Sequence, residues 1–188
     1  MSSITKIDIC TSALLLVGAD EITSFEDSTR EAKLCASIYQ TTFDALLQTH
    51  PWRFSIGQVL LNRLDATPLF GYSYAFQLPS NYLRLIGKNN TALKHDIFED
   101  KLYCDASSVS LNYQFTPSET RLPAYFVRAL EFELAQILSI ALVEDDNKHE
   151  LFRRSAREQL IRGKSTDSQS NGNHTMPAGN FALTAIRH

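Results

Sequence analysis

Leu46-Leu47-Gln48-Thr49-His50-Pro51-Trp52-Arg53-Phe54-Ser55-Ile56 is the stretch at which the chain changes its hydrophobic period. Upstream of it, Ala32, Cys35, Tyr39, Thr42 and Leu46 lie on one stripe that Leu34, Ile38 and Ala45 widen, which is the spacing of a buried helix face. Downstream, Trp52, Phe54 and Ile56 alternate with Arg53 and Ser55, the period of a half-buried strand. Pro51 marks the boundary, because a proline pushes the residue before it out of the helical region. A helix from Ser28 to about Thr49, roughly 33 Å long, is therefore predicted to hand the chain over to a sheet. His50 falls at the end of that helix, where the dipole favours a partial positive charge. Trp52 and Phe54 stand at the handover, and aromatic side chains bury enough area to lock two elements at a fixed angle.

Upstream, Thr5 with Asp8 forms a capping box, Ile7, Thr11, Leu14 and Val17 give helical spacing, and Gly18 is a natural stop. Ser28 with Glu31 forms a second box at the start of the longer helix. Downstream, Tyr74, Phe76 and Leu78 alternate toward Pro79, as do Leu83 and Leu85. Residues 96–105 read as a hairpin turning at Glu99 and Asp100, and Val109, Leu111, Tyr113 and Phe115 give the cleanest alternation in the chain. Pro123 suits the first position of a third helix, with Phe126, Leu130, Leu134, Ile137 and Ala141 on its buried face. This helix is apolar nearly all round from Leu134 to Val143. Asn147 and Glu150 cap a fourth, which carries Phe152, Ala156 and Leu160 inward.

The expected fold is α+β: a bundle of about four helices with a small antiparallel β domain inserted between helices 2 and 3, followed by an extended C-terminal arm. The expected divisions are 1–51 and 122–164 for the helical domain, 52–121 for the β domain and 165–188 for the arm. From Ser165 to Asn173 the composition is polar and unsuited to self-ordering. Phe181, Leu183 and Ile186 then place apolar groups at the end of the chain. These either fold back on their own core or dock on another subunit; fully extended, 24 residues reach at most about 80 Å.

At 188 residues and 44% hydrophobic content the chain is long enough for one ordinary core. With 21% charged residues and a net charge of -3 it is neither disordered nor generally attracted to nucleic acid. Cys10, Cys35 and Cys104 lie far apart in odd number, unlike a disulfide framework or a zinc site, and suit a reducing compartment. The apolar run Ala13 to Val17 is too short for a membrane span and lacks the flanks of a signal peptide, so a soluble compartment is expected.

Chemistry is sparse. Gly71-Tyr72-Ser73-Tyr74-Ala75 resembles a nucleophile elbow with its last glycine replaced, which would pair Ser73 with a base such as His95. The elbow needs a helix after the serine, whereas Ser73 leads into a strand-like run. The histidines His50, His95, His149, His174 and His188 show no spacing that sets two imidazoles on one helical face for a metal. No glycine-rich phosphate loop is present. The fourth helix is the one electrostatic anomaly: from Lys148 to Lys164, six basic residues against two acidic ones give +4, leaving -7 for the rest of the chain. Arg153, Arg157 and Lys164 fall on nearby parts of one face. That face is solvated, meets DNA phosphates, or meets an acidic surface on a neighbouring subunit. A nucleic-acid-binding regulator using this helix is the alternative function.

Leu46 to Phe54 resembles the end of the long helix in the tail tubular protein A family, the head-to-tail adaptors (connectors) of short-tailed phages. The match continues in order through Ala13-Leu14 to Leu16-Val17-Gly18, Ile22 and Ser24, and Ala32 and Tyr39. It extends through Phe70 to Pro79 with Tyr82-Leu83-Arg84, Val109 to Tyr113, and the apolar helix from Phe126 to Leu142. Together these span roughly residues 4–162. The chain departs from the pattern at Arg53 and Asn81. The resemblance implies a virion structural protein without catalytic residues or cofactors. It implies self-assembly into a ring, a dodecamer, between the portal protein and the tail nozzle protein, with genome DNA passing through the lumen without sequence-specific binding. It implies a place in the neck of the virion, reached from the host cytoplasm during assembly, and no membrane partner. The expected subunit or portal interface comprises Arg153, Arg157 and Lys164 with Phe181, Leu183 and Ile186, and Trp52 and Phe54 form the structural junction.

Overall fold

The computed structural model describes residues 4–90 and 92–169. Helix α1 (Lys6–Val17) opens with the expected box: the Asp8 N–H donates to Thr5 Oγ1 at 3.2 Å, and the Thr5 N–H donates to the Asp8 carboxylate at 2.8 Å. Gly18 closes it at φ +82°, a left-handed conformation that glycine adopts without Cβ strain. Helix α2 (Arg30–Gln48) is capped one residue later than the Ser28 box predicts, by Thr29, whose hydroxyl accepts the Ala32 N–H at 3.3 Å. Of the predicted stripe Ala32, Cys35, Tyr39 and Leu46 are buried, and the face extends to Phe43 and Leu47. Cys35, Tyr39, Phe43 and Leu47 step inward every fourth residue, while Ala45 is exposed and Thr42 only half-buried. Each such step turns about 40° beyond one full turn, so the bulkier Phe43 and Leu47 take the inward positions.

The strand expected from Trp52 starts later. Arg53–Ser55 is a single 3-10 turn, in which the Ser55 N–H and hydroxyl both donate to the Trp52 carbonyl at 2.9 and 2.8 Å. The turn points Trp52 into the helical core, where it is fully buried, rather than onto a sheet face. The inserted region holds two small antiparallel sheets. In the first, β1 (Ile56–Leu60), β7 (Ser110–Phe115) and β4 (Tyr82–Lys88) run in the order β1-β7-β4. In the second, β2 (Asn62–Arg63), β3 (Tyr74–Gln77), β6 (Lys101–Cys104) and β5 (His95–Phe98) run in the order β2-β3-β6-β5. The β5–β6 hairpin turns at Glu99 and Asp100, both with positive φ (52° and 57°), the signature of a tight I′ turn. Phe76, Leu102 and Leu111 lead a shared core between the sheets, separate from the helical core.

Helix α3 (Ala124–Leu138) begins one residue after Pro123, which serves as its N-cap. The predicted continuation to Val143 widens instead into a π turn over Ser139–Val143, ending at Glu144 with φ 54°. Arg30 donates to the Ala141 carbonyl in that turn at 2.6 Å, supplying one of the donors that helix ends lack. Helix α4 (Asp146–Gln169) is capped by Asp145, whose carboxylate accepts the N–H groups of Asn147 and Lys148, and not by Asn147 or Glu150. Lys148 also donates to the Val17 carbonyl at 3.0 Å and so ties α4 to the end of α1. The helix continues five residues past Lys164, so 165–169 belong to the helical domain and not to an arm.

Candidate functional site

Two places concentrate polar and aromatic groups: the junction of helices and sheet, and the exposed face of α4. Trp52 is the centre of the junction. Its indole N–H donates at 3.3 Å to the Leu46 carbonyl near the end of α2, which also accepts the Thr49 N–H and hydroxyl. Its ring lies 5.3 Å from Phe126 edge-on, 6.0 Å from Phe54 and 6.1 Å from Tyr125. Gly163 of α4 faces the same rings, and a Cβ there would make ordinary contact with them, 3.6 Å from Trp52 and 3.4 Å from Tyr125. Trp52 and Phe54 lie between the end of α2 and the start of β1 and pack on the helical side.

Two buried polar side chains, Gln114 and Asp167, complete the joint. Gln114 of β7, fully buried, donates to the carbonyls of Leu47 and His50 at 2.9 Å each and to Ser55 Oγ at 3.0 Å, while its own carbonyl accepts from Arg84 Nε at 2.7 Å. One amide therefore satisfies the frayed end of α2 and pins the central strand of the first sheet to it. Asp167, 1% exposed, does the same for α4. Its carboxylate accepts the Arg53 N–H at 3.1 and 3.0 Å and the Tyr125 hydroxyl at 2.7 Å, with His50 Nε2 3.5 Å away. Burial and the adjacent Asp167 carboxylate push the Tyr125 phenol upward, which keeps it protonated as the donor. Burial holds His50 below the ordinary imidazole range against the pull of Asp167, with Lys164 and Arg84 adding to the lowering. Positive charge on His50 is therefore disfavoured, because desolvation outweighs the attraction of Asp167.

On α4, Arg153 and Arg154 share one partner. Arg153 donates twice to the Glu150 carboxylate at 2.8 Å, and Arg154 once at 3.3 Å. These hydrogen bonds, Arg153 first, bring the Glu150 carboxyl down to about 2. Arg157 makes no ion pair among the described residues and lines a groove of about 230 Å³ with Arg153, Leu160 and, from α3, Glu133 and Gln136. Arg153 and Arg157 therefore meet on one surface, whereas Lys164, half-buried, is turned toward His50 and the junction. Phe181, Leu183 and Ile186 lie outside the described residues.

Elsewhere, Ser73 leads directly into β3, and its hydroxyl and N–H both donate to Asp105 at 2.9 Å. His95 begins β5, two strands from β3, with its Nδ1 3.0 Å from Lys88 Nζ. The structure does not assemble a Ser73–His95 pair. Among the described residues no three acidic, histidine or cysteine side chains cluster to hold a metal, and no helix is long and apolar enough to cross a membrane. Comparison with protein-family models and with curated proteins finds no match.

Sequence reasoning missed Gln114 and Asp167. Gln114 sits on the strand face opposite the Val109–Leu111 alternation, and Asp167 sits in a serine-rich run, so neither carries a pattern. It also missed the loop between β2 and β3, where Leu69 and Phe70 stand 95% and 88% exposed.

Proposed function

We propose that the chain is a structural connector, one subunit of the head-to-tail adaptor ring that joins portal to tail nozzle in a short-tailed phage and surrounds the passing DNA. The supporting observation is the architecture in its order: a β region inserted between the second and third of four helices, with Leu46 to Phe54 turning the chain from helix to sheet. That is the order in which the resembling motifs fall. A connector needs rigid orientation between a part that binds one neighbour and a part that binds another. Trp52, Gln114 and Asp167 supply such a joint from aromatic packing and buried hydrogen bonds.

The test is negative-stain microscopy of the purified protein mixed with its cognate portal. An added ring at one end of the portal is expected; portal particles without added density at any mixing ratio reject the connector. The contribution of the C-terminal residues is tested by truncation after Gln169, which leaves Asp167 in place. Weaker ring formation or docking is expected from that truncation, and equal assembly would remove the arm from the interface. Truncation after Lys164 would confound the result by deleting Asp167.

A further inference from the structure

A groove of about 410 Å³ runs between Thr42, Ala45, Leu46 and Thr49 of α2 and Glu133 and Ile137 of α3. Its α2 side is apolar despite the threonines. The Thr42 hydroxyl donates to the Ile38 carbonyl and the Thr49 hydroxyl to the Leu46 carbonyl, each at 2.8 Å, so both are engaged within the helix. Leu46 is buried beneath the groove, and Ala45 and Thr49 are exposed at its edge. Glu133 is the one carboxylate lining it. That side chain is half-buried and has neither a hydrogen bond nor an ion pair among the described residues. Burial raises its carboxyl above the ordinary range, with no neighbouring cation to offset the effect. An apolar cleft with a single unpaired carboxylate is complementary to an apolar segment that carries one cation.

The chain carries such a segment beyond α4. Phe181, Leu183 and Ile186 precede Arg187, which is the only lysine or arginine after Lys164, and no acidic residue follows Asp167. Helix α4 ends at Gln169, two residues past Asp167, and the Asp167 carboxylate lies 3.5 Å from Nε2 of His50, the neighbour of Thr49. The chain therefore leaves α4 beside the Thr49 end of the groove. The eleven residues between Gln169 and Phe181 can span about 40 Å when extended, whereas the groove runs about 11 Å along α2 from Thr42 to Thr49. So short a tether holds the segment over its own groove at an effective concentration on the order of millimolar, which a second copy does not reach in dilute solution. The neighbouring α3–α4 groove, which Glu133 also lines, adds Arg153, Arg154 and Arg157 and suits Arg187 less.

We propose that residues 181–187 seat in the α2–α3 groove of their own chain, with Phe181, Leu183 and Ile186 covering Ala45, Leu46 and Ile137 and Arg187 meeting Glu133. The seating is that of the free chain and does not rest on the connector reading. A partner that takes residues 181–187 must first draw them out of the groove, so the contact competes with any docking of the arm elsewhere.

The test uses the full chain. Cys10, Cys35 and Cys104 are buried, so an Ala45→Cys, Leu183→Cys variant at micromolar concentration can be treated with a short bis-maleimide and the linked peptides read by mass spectrometry. A link between positions 45 and 183 of one chain is expected, in a yield roughly ten-fold above that of a Leu69→Cys, Leu183→Cys control, whose first site stands on the β region. Glu133→Lys should cut the yield several-fold, and Arg187→Glu in the same chain should restore it. In a chain with its native cysteines, Phe181→Ser, Leu183→Ser, Ile186→Ser should speed amide exchange across residues 42–49. The proposal is overturned if the 45–183 yield equals the control, or if that exchange is the same in the serine variant and the wild type. It is also overturned if mixed Ala45→Cys and Leu183→Cys single variants link as well as the double variant, which would place the segment on a second copy. Any of these failures leaves the connector standing, and a portal that gains no ring leaves the seating standing.

Discussion

Trp52 shows how one residue serves two elements at once. Its indole N–H joins the Thr49 N–H and hydroxyl on the Leu46 carbonyl near the end of α2, and its ring packs among Phe54, Tyr125 and Phe126. Trp52→Ala should lower folding stability by about 3–5 kcal/mol, the range for emptying a buried aromatic site; an unchanged urea midpoint would remove the role assigned to it. His50 beside it has the opposite electrostatic sense. Burial keeps its folded-state pKa below the ordinary 6.5, so near pH 6 the folded protein binds fewer protons than the unfolded chain. Its contribution to stability is present above pH 6.5 and is lost as pH falls through the lowered folded value. His50→Gln should flatten the rise of stability between about pH 5 and pH 7, which denaturant melts at several pH values would reveal. The positions of Trp52 and Phe54 at the junction were legible from the change of period at Pro51. The partners of His50 were not, because Asp167 is more than a hundred residues away.

At the level of elements, existence and order were legible and ends were not. The Thr5 box, the Gly18 stop and the Glu99–Asp100 turn carry local chemistry that does not depend on the rest of the chain, and each is found where predicted. The starts of α2 and α4 were misplaced because several polar residues in a row can cap a helix. Thr29 and Asp145 prevail once the helix axes are set by packing. The last turn of α4 is the clearest case. Serine, threonine and aspartate there argue for a loop, yet Asp167 answers the Arg53 N–H and the Tyr125 hydroxyl inside the protein. Asp167→Ala leaves those donors unanswered and should cost about 1–3 kcal/mol, with faster amide exchange in residues 164–169. Exchange that is unchanged there would show that the carboxylate is not what holds the turn.

As a whole molecule the chain is a helical body and a β body joined through a buried polar seam. Gln114 spans that seam from the central strand to the end of α2, and Leu83 of β4 packs against the helical core beside it. The amino-acid sequence alone determined the α+β class, the insertion of the β region between the second and third helices, and the concentration of positive charge on α4. All three follow from periodicity and composition, which are local properties. Only the tertiary structure decided that the insert is two sheets, that α4 runs on to Gln169, and which polar residues are sealed between the bodies. Each of these depends on partners far apart in the chain, which a buried carboxylate or amide finds only when the elements meet.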